Sequence, residues 1–371
     1  MERIWLREYP EGVPTEIDLN EFASLKDILE KSCRRFADLP AYSNMGVTLR
    51  YRDIDRISRD FGAYLQGRGL GKGERVAIMM PNVLQYPIAV FGALRAGLTV
   101  VNVNPLYTPR ELEHQLKDSG AKAIIIFENF ASVLQQVIAN VPTKHVILTA
   151  MGDMLGLLKG AVVNYVVRNV KKMVPAYSLP GAVRFNDALS RGRGMSYRAP
   201  RLTPDDVAVL QYTGGTTGVS KGAVLLHRNL VANLLQCEAW YQPALKKVPQ
   251  GEQIVTICAL PLYHIFGFNT NMMLSLHMGG ANVLIPNPRD LPGLFKELRQ
   301  HRFHSFPAVN TLFMAMANHP EFSTVDWSAL VISVGGGMAV QQATAKLWLE
   351  KTGCPIVEGY GLSETSPTLT C

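Results

Sequence analysis

An α/β fold with two mostly parallel sheets is the architecture this sequence predicts, and three observations carry it. From Arg75 onward, short apolar and β-branched runs alternate with stretches of helical periodicity. The alternation stops between residues 150 and 200 and then resumes, which reads as two units, 1–200 and 201–371. The composition agrees, since 371 residues at 47% hydrophobic and 18% charged suffice for two packed units.

Taken in order, residues 75–80 read as a buried strand, 83–96 as a helix and 99–103 as a strand. Thr108-Pro109-Arg110-Glu111 is a capping box with Pro at the first helical position, and Gly120 suits the end of the helix it opens. Residues 123–127 form a strand, 130–140 a helix and 145–149 a strand. In the second half, apolar runs at 207–210 and 223–226 flank a glycine-rich loop. Strands at 254–260, 282–285, 303–307, 330–334 and 355–358 then alternate with helices at 266–276, 291–299, 311–316 and 341–351. Ligands in such sheets sit at the carboxyl ends of strands, so the loops after Leu260, Val334 and Glu358 are the places to look.

Composition excludes several classes. The cysteines Cys33, Cys237, Cys258, Cys354 and Cys371 are scattered and form no metal-binding spacing, as expected of reduced thiols. The start is too charged for a signal peptide. Gln85 and Arg95 interrupt one long apolar stretch, and Asn269, Asn271, His277 and Asn282 another, so neither reads as a spanning helix. A net charge of +7 suits anionic small molecules or an anionic membrane surface, and no nucleic-acid motif accompanies it. Residues 154–173 mix leucines and valines with Lys159, Arg168, Lys171 and Lys172. Such a basic amphipathic helix either lies in an anionic membrane interface or covers the junction of the two units.

Residues 212–223, Tyr-Thr-Gly-Gly-Thr-Thr-Gly-Val-Ser-Lys-Gly-Ala, carry the most chemistry. Glycine backbone, hydroxyls and one ammonium make a cradle for polyphosphate on a strand–loop–strand. It is not a Walker A loop, because Ser220 rather than Gly precedes Lys221. Gly218-Val219-Ser220-Lys221-Gly222 does match the nucleophile elbow G-x-S-x-G, but that elbow needs a helix after the Ser, and Val-Leu-Leu follows here.

The loop resembles the phosphate-binding motif of acyl-adenylate-forming enzymes. Residues 261–267, Pro-Leu-Tyr-His-Ile-Phe-Gly, and 358–365, Glu-Gly-Tyr-Gly-Leu-Ser-Glu-Thr, resemble that family's later motifs in order and spacing. Met80-Pro81-Asn82 and residues 102–108 are similar to bacterial long-chain fatty acid–CoA ligases in particular. The resemblance implies the amino-terminal domain of an adenylate-forming enzyme, which activates a long-chain fatty acid with ATP and Mg²⁺ to acyl-AMP and passes the acyl group to CoA.

It also implies roles. Thr213, Gly214, Gly215, Thr216, Thr217, Gly218 and Lys221 would hold the β- and γ-phosphates, and Thr213 and Glu364 would position Mg²⁺. Gly335, Gly336 and Gly337 would let adenine approach the backbone, with Glu358, Gly359, Tyr360 and Gly361 completing the slot and Ser363 near the AMP phosphate. His264 would orient the reacting groups, with Lys221 and Glu364 the other catalytic candidates. Phe268 would gate an acyl tunnel lined by Phe266, Met272, Met273 and Asn310. Expected partners are the fatty acid, ATP, CoA, an anionic membrane and a second copy of the chain, with no nucleic acid. The expected location is the cytoplasm or its membrane face. Family members continue with a domain carrying a catalytic Lys, so the expectation is a truncated amino-terminal domain that binds substrates and turns over poorly. Two rival readings are a serine hydrolase using Ser220 and a non-catalytic nucleotide- or fatty-acid-binding module.

Overall fold

The computed structural model describes residues 3–214 and 219–371. Gly215, Thr216, Thr217 and Gly218 lie outside the described residues. In chain order the strands are β1 (Pro40–Asn44), β2 (Val47–Arg50), β3 (Arg75–Met79), β4 (Thr99–Asn102), β5 (Ala123–Phe127), β6 (His145–Thr149), β7 (Val183–Arg184), β8 (Val207–Thr213), β9 (Lys221–Leu226), β10 (Val255–Cys258), β11 (Ala281–Leu284), β12 (Ser305–Ala308), β13 (Ile332–Gly335), β14 (Ile356–Glu358), β15 (Tyr360–Gly361) and β16 (Thr368–Thr370). The α-helices are α1 (Leu25–Arg35), α2 (Tyr51–Gly67), α3 (Gln85–Ala96), α4 (Pro109–Ser119), α5 (Ala131–Gln135), α6 (Leu157–Tyr165), α7 (Phe185–Arg193), α8 (His227–Leu245), α9 (Leu274–His277), α10 (Leu291–Leu298), α11 (Asn310–Ala317) and α12 (Gln342–Thr352).

Among the described residues these strands build two 7-stranded sheets, ordered β7-β6-β5-β3-β4-β8-β9 and β14-β13-β12-β10-β11-β1-β2, and a 2-stranded antiparallel sheet, β15-β16. Within the two larger sheets pairing is parallel except in the β8–β9 and β1–β2 hairpins, one at an edge of each sheet. The expected α/β class is therefore the observed one. The strands do not sort at residue 200, however. β1 pairs with β11, so the amino-terminal hairpin completes the second sheet. β8 pairs with β4, so residues 207–226 complete the first.

Continuous apolar strands explain the layering. β5 reads Ala-Ile-Ile-Ile-Phe and is buried throughout, as a strand covered on both faces must be. Alternate side chains of β3 enter different cores: Val76 and Ile78 face a central one, Ala77 and Met79 an outer one. The central core also takes in α1, α2, α3, α8 and side chains of the second sheet. Helices α4 and α5 cover the outer face of the first sheet, and α10, α11 and α12 that of the second.

All of α3 is buried, including the two polar residues that interrupt its apolar run. Gln85 donates to the Ala150 carbonyl at 2.8 Å. Arg95 pairs with Glu30 at 3.1 Å and with Asp55, and donates to Ser58 Oγ at 3.0 Å. A buried cation is tolerable when paired and hydrogen-bonded in this way. Among the described residues no helix is long and apolar enough to cross a membrane.

One helix expectation needs correction, and two expected helices form with a π-helical part. The helix expected over 130–140 is broken into α5 and two 3₁₀ turns, Glu128–Phe130 and Ile138–Asn140, with Val137 leaving the helical region at φ −124°. The helix expected over 266–276 is a π-helical stretch, Gly267–Met273, running into α9. The segment 154–173 is α6 followed by a π turn, Val166–Val170. The α4 capping box forms as expected, with Thr108 and Glu111 reciprocally bonded and Gly120 left-handed at φ 61°.

The two helices α1 and α8 meet at one histidine. His227 is buried, and its Nδ1 accepts the Leu25 N–H at 3.2 Å. Burial pushes its pKa from the ordinary 6.5 down to about 4. The neutral ring is the folded form, so this contribution to stability is present above pH 6.5 and lost as pH falls through about 4. The stake is roughly 3 kcal/mol. Urea unfolding across that window should show His227→Gln with a shallower acid loss than the parent chain.

Candidate active site

The glycine-rich loop is anchored at both ends to α4. β8 and β9 pair up to Thr213 opposite Lys221. One pair earlier, Tyr212 lies opposite Gly222, where a Cβ would stand 2.9 Å from the Tyr212 ring. The ring occupies that space, and its hydroxyl donates to Asp118 Oδ2 at 2.6 Å. On the other side of the loop, His114 Nε2 donates to the Ser220 carbonyl at 2.8 Å. A strand follows Ser220, so the strand-to-helix turn of a nucleophile elbow is not formed there.

The turn after β10 is held by residues of the other sheet. Asn82 donates to the carbonyls of Cys258 at 3.0 Å and Leu260 at 2.8 Å, and its Oδ1 accepts the Leu262 N–H at 2.9 Å. The Tyr86 hydroxyl sits between two acceptors, Asn102 Oδ1 at 2.6 Å and Leu262 O at 2.7 Å. Burial raises its pKa well above the ordinary value, so it stays a donor. Asn102 donates to Gln211 Oε1 at 3.1 Å, and Gln211 donates to the Tyr263 carbonyl at 3.1 Å. These side chains join β4, β8 and α3 to one turn.

That turn presents His264 to solvent. The Phe266 N–H points at His264 Nδ1 at 3.3 Å, so Nδ1 carries the lone pair and a neutral ring bears its proton on Nε2. Desolvation by the surrounding walls lowers its pKa, which favours the neutral ring at neutral pH.

Three loops at strand ends interlock beside His264. Gly359 N–H donates to the Gly335 carbonyl at 2.8 Å, joining the turns after β13 and β14. A Cβ on Gly336 would lie 2.9 Å from the Phe266 ring, so the bare backbone is what the ring packs on. Gly337 is left-handed at φ 76°. The short turn Ser363–Thr365 packs beside β8 and β9, bringing Glu364 to the same opening as Thr213.

Together these loops enclose a cleft of about 1630 Å³. Of the expected nucleotide and catalytic residues, Thr213, Gly214, Gly336, Gly337, Gly359, Tyr360, Gly361, Ser363, Glu364 and His264 line it. Lys221 is exposed at the start of β9, outside the wall. Gly335 lies beneath it, with Val340 and Ile356 filling the space a Cβ would need. The Glu358 carboxylate is engaged by the Val340 N–H at 3.3 Å.

The expected acyl-tunnel set divides. Phe266 lines the cleft. Phe268 and Met272 do not, because both are fully buried in the central core, as is every residue of the π-helical stretch 267–273. Met273 is buried in that core too, and Asn310 accepts the Gln341 N–H at 2.9 Å ahead of α12. Apolar lining of the cleft comes instead from Trp240, Tyr241 and Ala244 of α8 and from Ile332 and Val334 of β13. Tyr9 and Trp5 reach it from the amino terminus, with the Tyr9 ring edge-on to Trp240 at 5.2 Å. Sequence reading passed over α8 and this segment.

A family model described as AMP-binding enzyme matches residues 29–371. A long-chain-fatty-acid–CoA ligase of Escherichia coli O6:H1 is 55% identical over all 371 residues, and the chain spans 65% of that relative's length. The anthranilate CoA ligase AuaEII, solved with anthranoyl-AMP, superposes with a TM-score of 0.79 at 22% identity, covering 95% of this chain and 63% of that one. A long-chain-fatty-acid–CoA ligase of Archaeoglobus fulgidus gives 0.78 at 21% identity, covering 98% of this chain and 68% of that one.

The three bonds of Asn82 make it the test of how the turn is held. Asn82→Ala leaves the Leu262 N–H without its partner and takes one donor from each of the Cys258 and Leu260 carbonyls, the first of which keeps the Ile285 N–H, and should destabilise the chain by roughly 2 kcal/mol in urea unfolding. Hydrogen exchange at the Leu262 amide should speed up more than exchange in the strands.

Proposed function

This chain belongs to the AMP-binding enzyme family, and on that premise we propose that it forms the adenylating part of a long-chain fatty acid–CoA ligase. One observation carries the reading: a single cleft is lined both by the polar groups of Thr213, His264 and Glu364 and by apolar side chains of α8 and β13. A carboxylate with a long aliphatic tail needs those two environments joined at its head.

A carboxylate is a poor acyl donor because oxide is a poor leaving group. In the proposed reaction a carboxylate oxygen attacks the α-phosphorus of ATP, the bond to pyrophosphate breaks, and acyl-AMP forms. The thiol of CoA then attacks the acyl carbon, and AMP leaves. The residues around this cleft suit the first step. Thr213, Gly214 and the loop residues Gly215, Thr216, Thr217 and Gly218, with Lys221 at its end, are the proposed phosphate cradle. Gly336, Gly337, Gly359, Tyr360, Gly361 and Ser363 are the proposed nucleoside and AMP surface. Neutral His264 has Nε2–H free to donate to an oxygen at the carboxylate–phosphate junction, which orients it and stabilises developing charge.

A Thr hydroxyl and a carboxylate are hard oxygen donors, and Mg²⁺ keeps several waters and substrate phosphate oxygens as its other ligands. Thr213 and Glu364 fit that pattern, and no cluster of three or more metal-ligating side chains is found among the described residues. When bound, the ion would neutralise phosphate charge. A serine-hydrolase reading has no such support, since β9 rather than a helix follows Ser220.

Two experiments test the reading. In the full-length ligase, acyl-AMP formation should be fastest with long-chain acids. His264→Ala should slow it by about 10²-fold with little change in ATP affinity. Loss of the parent's rate through protonation of His264 should set in at a lower pH than for an ordinary imidazole, because desolvation lowers its pKa. Activation of short or aromatic acids alone would overturn the substrate assignment. Separately, ATP with Mg²⁺ should raise the melting temperature of this chain, and Glu364→Gln should remove the Mg²⁺-dependent part of the rise. No shift at saturating ATP would count against the nucleotide site.

A further inference from the structure

We propose that the face carried by α6 and the turn after it docks on an anionic lipid surface. The inference stands on that surface and does not depend on what the cleft binds.

Surface helices normally turn their apolar side inward. α6 does so only in part. Val163 packs against the central core, but beside it the inward side carries Gly160 and Asn164, and one turn further Arg168. A Cβ on Gly160 would lie 2.3 Å from the Gly152 carbonyl oxygen, so two backbones touch where no side chain fits. Asn164 Oδ1 accepts the Gly152 N–H at 2.7 Å, and its amide donates to Asp153 Oδ1 at 3.2 Å. Arg168 donates to both oxygens of Glu128 at 2.8 Å, and Arg184 donates to the same carboxylate at 3.1 Å. Glu128 is only 1% exposed, so this bidentate pair is a firm anchor. Lys159 donates to the Met45 carbonyl in the β1–β2 turn.

These contacts fix the rotation of the helix and leave a second apolar row facing outward. Leu157 is 94% exposed and Leu158 86%, with Val162 and Tyr165 on the same side and Val170 and Met173 beyond. Scattered exposed leucines are ordinary, but a row along one side of a helix marks an interaction surface. Its charge selects the partner. Residues 156–173 hold Lys159, Arg168, Lys171 and Lys172 and no acidic residue. Lys171 and Lys172 are exposed beside the apolar row. Apolar side chains among cations, with a tyrosine at the boundary, match the acyl and phosphate layers of an anionic leaflet. A second copy of the chain meeting this face across a twofold axis would set cation against cation.

Flotation of the purified chain with phosphatidylcholine vesicles, with and without phosphatidylglycerol, tests the proposal. Binding should require phosphatidylglycerol and weaken with salt. Leu157→Ser/Leu158→Ser should reduce it by roughly tenfold or more. Lys171→Glu/Lys172→Glu, which leaves the apolar row intact, should abolish the phosphatidylglycerol preference. Binding that neither variant alters would overturn the proposal, as would no binding to either vesicle. A dimer in gel filtration that Leu157→Ser/Leu158→Ser dissociates would assign the face to a second copy instead.

Discussion

The site depends on a polar network that crosses from one sheet to the other. Asn82, Tyr86, Asn102 and Gln211 belong to the first sheet and its helix α3, yet their hydrogen bonds end on the backbone of residues 258–263. Each of these side chains is buried, so each bond forms where water cannot substitute for it. An unmatched partner would leave an orphaned amide or carbonyl in the core. The network thus allows essentially one relative position for β10's turn and the β4–β8 edge. His264 and the edge of the glycine-rich loop inherit that position from it.

Backbone contact gives the second constraint. Gly267 approaches the Pro261 carbonyl so closely that a Cβ would stand 2.4 Å away, and Gly361 meets the Pro367 carbonyl at 1.8 Å by the same measure. Gly336 lies under the Phe266 ring. Loops without side chains at their crossing points stack tightly, and the cleft wall becomes continuous backbone. The glycines that resemblance assigns to adenine therefore also serve packing. For Gly335 packing is the whole of what the structure displays, because Val340 and Ile356 occupy its open side.

Much of this was legible in the sequence. The alternation after Arg75, the capping box at Thr108 and the strand–loop–strand about residues 213–221 are local signals, and local signals survive folding. What depended on distant pairing was not legible. Nothing in Pro40–Asn44 announces a partner at Ala281–Leu284, more than two hundred residues away. α8 carries its buried residues without a clean stripe and has a Pro inside, so its periodicity is weak. Resemblance placed Phe268 at the gate of an acyl tunnel. The structure buries it together with every other residue of the π-helical stretch 267–273, a burial set by tertiary packing that no local pattern announces.

Polar residues inside apolar runs turn out to carry the architecture. Arg95 and Gln85 in α3 pin α1, α2 and the end of β6. Glu128, at the carboxyl end of β5, collects Arg168 and Arg184 from the segment that follows β6. In each case desolvation makes an unpaired group costly, so the partner's position is strongly specified even where the net gain of the pair is modest. The same logic explains how α6 comes to show its leucines to solvent. Apolar burial alone would roll that helix inward. The paired Glu128 carboxylate and the touching glycines Gly152 and Gly160 hold the opposite face against the protein, and a helix has only one way to satisfy both.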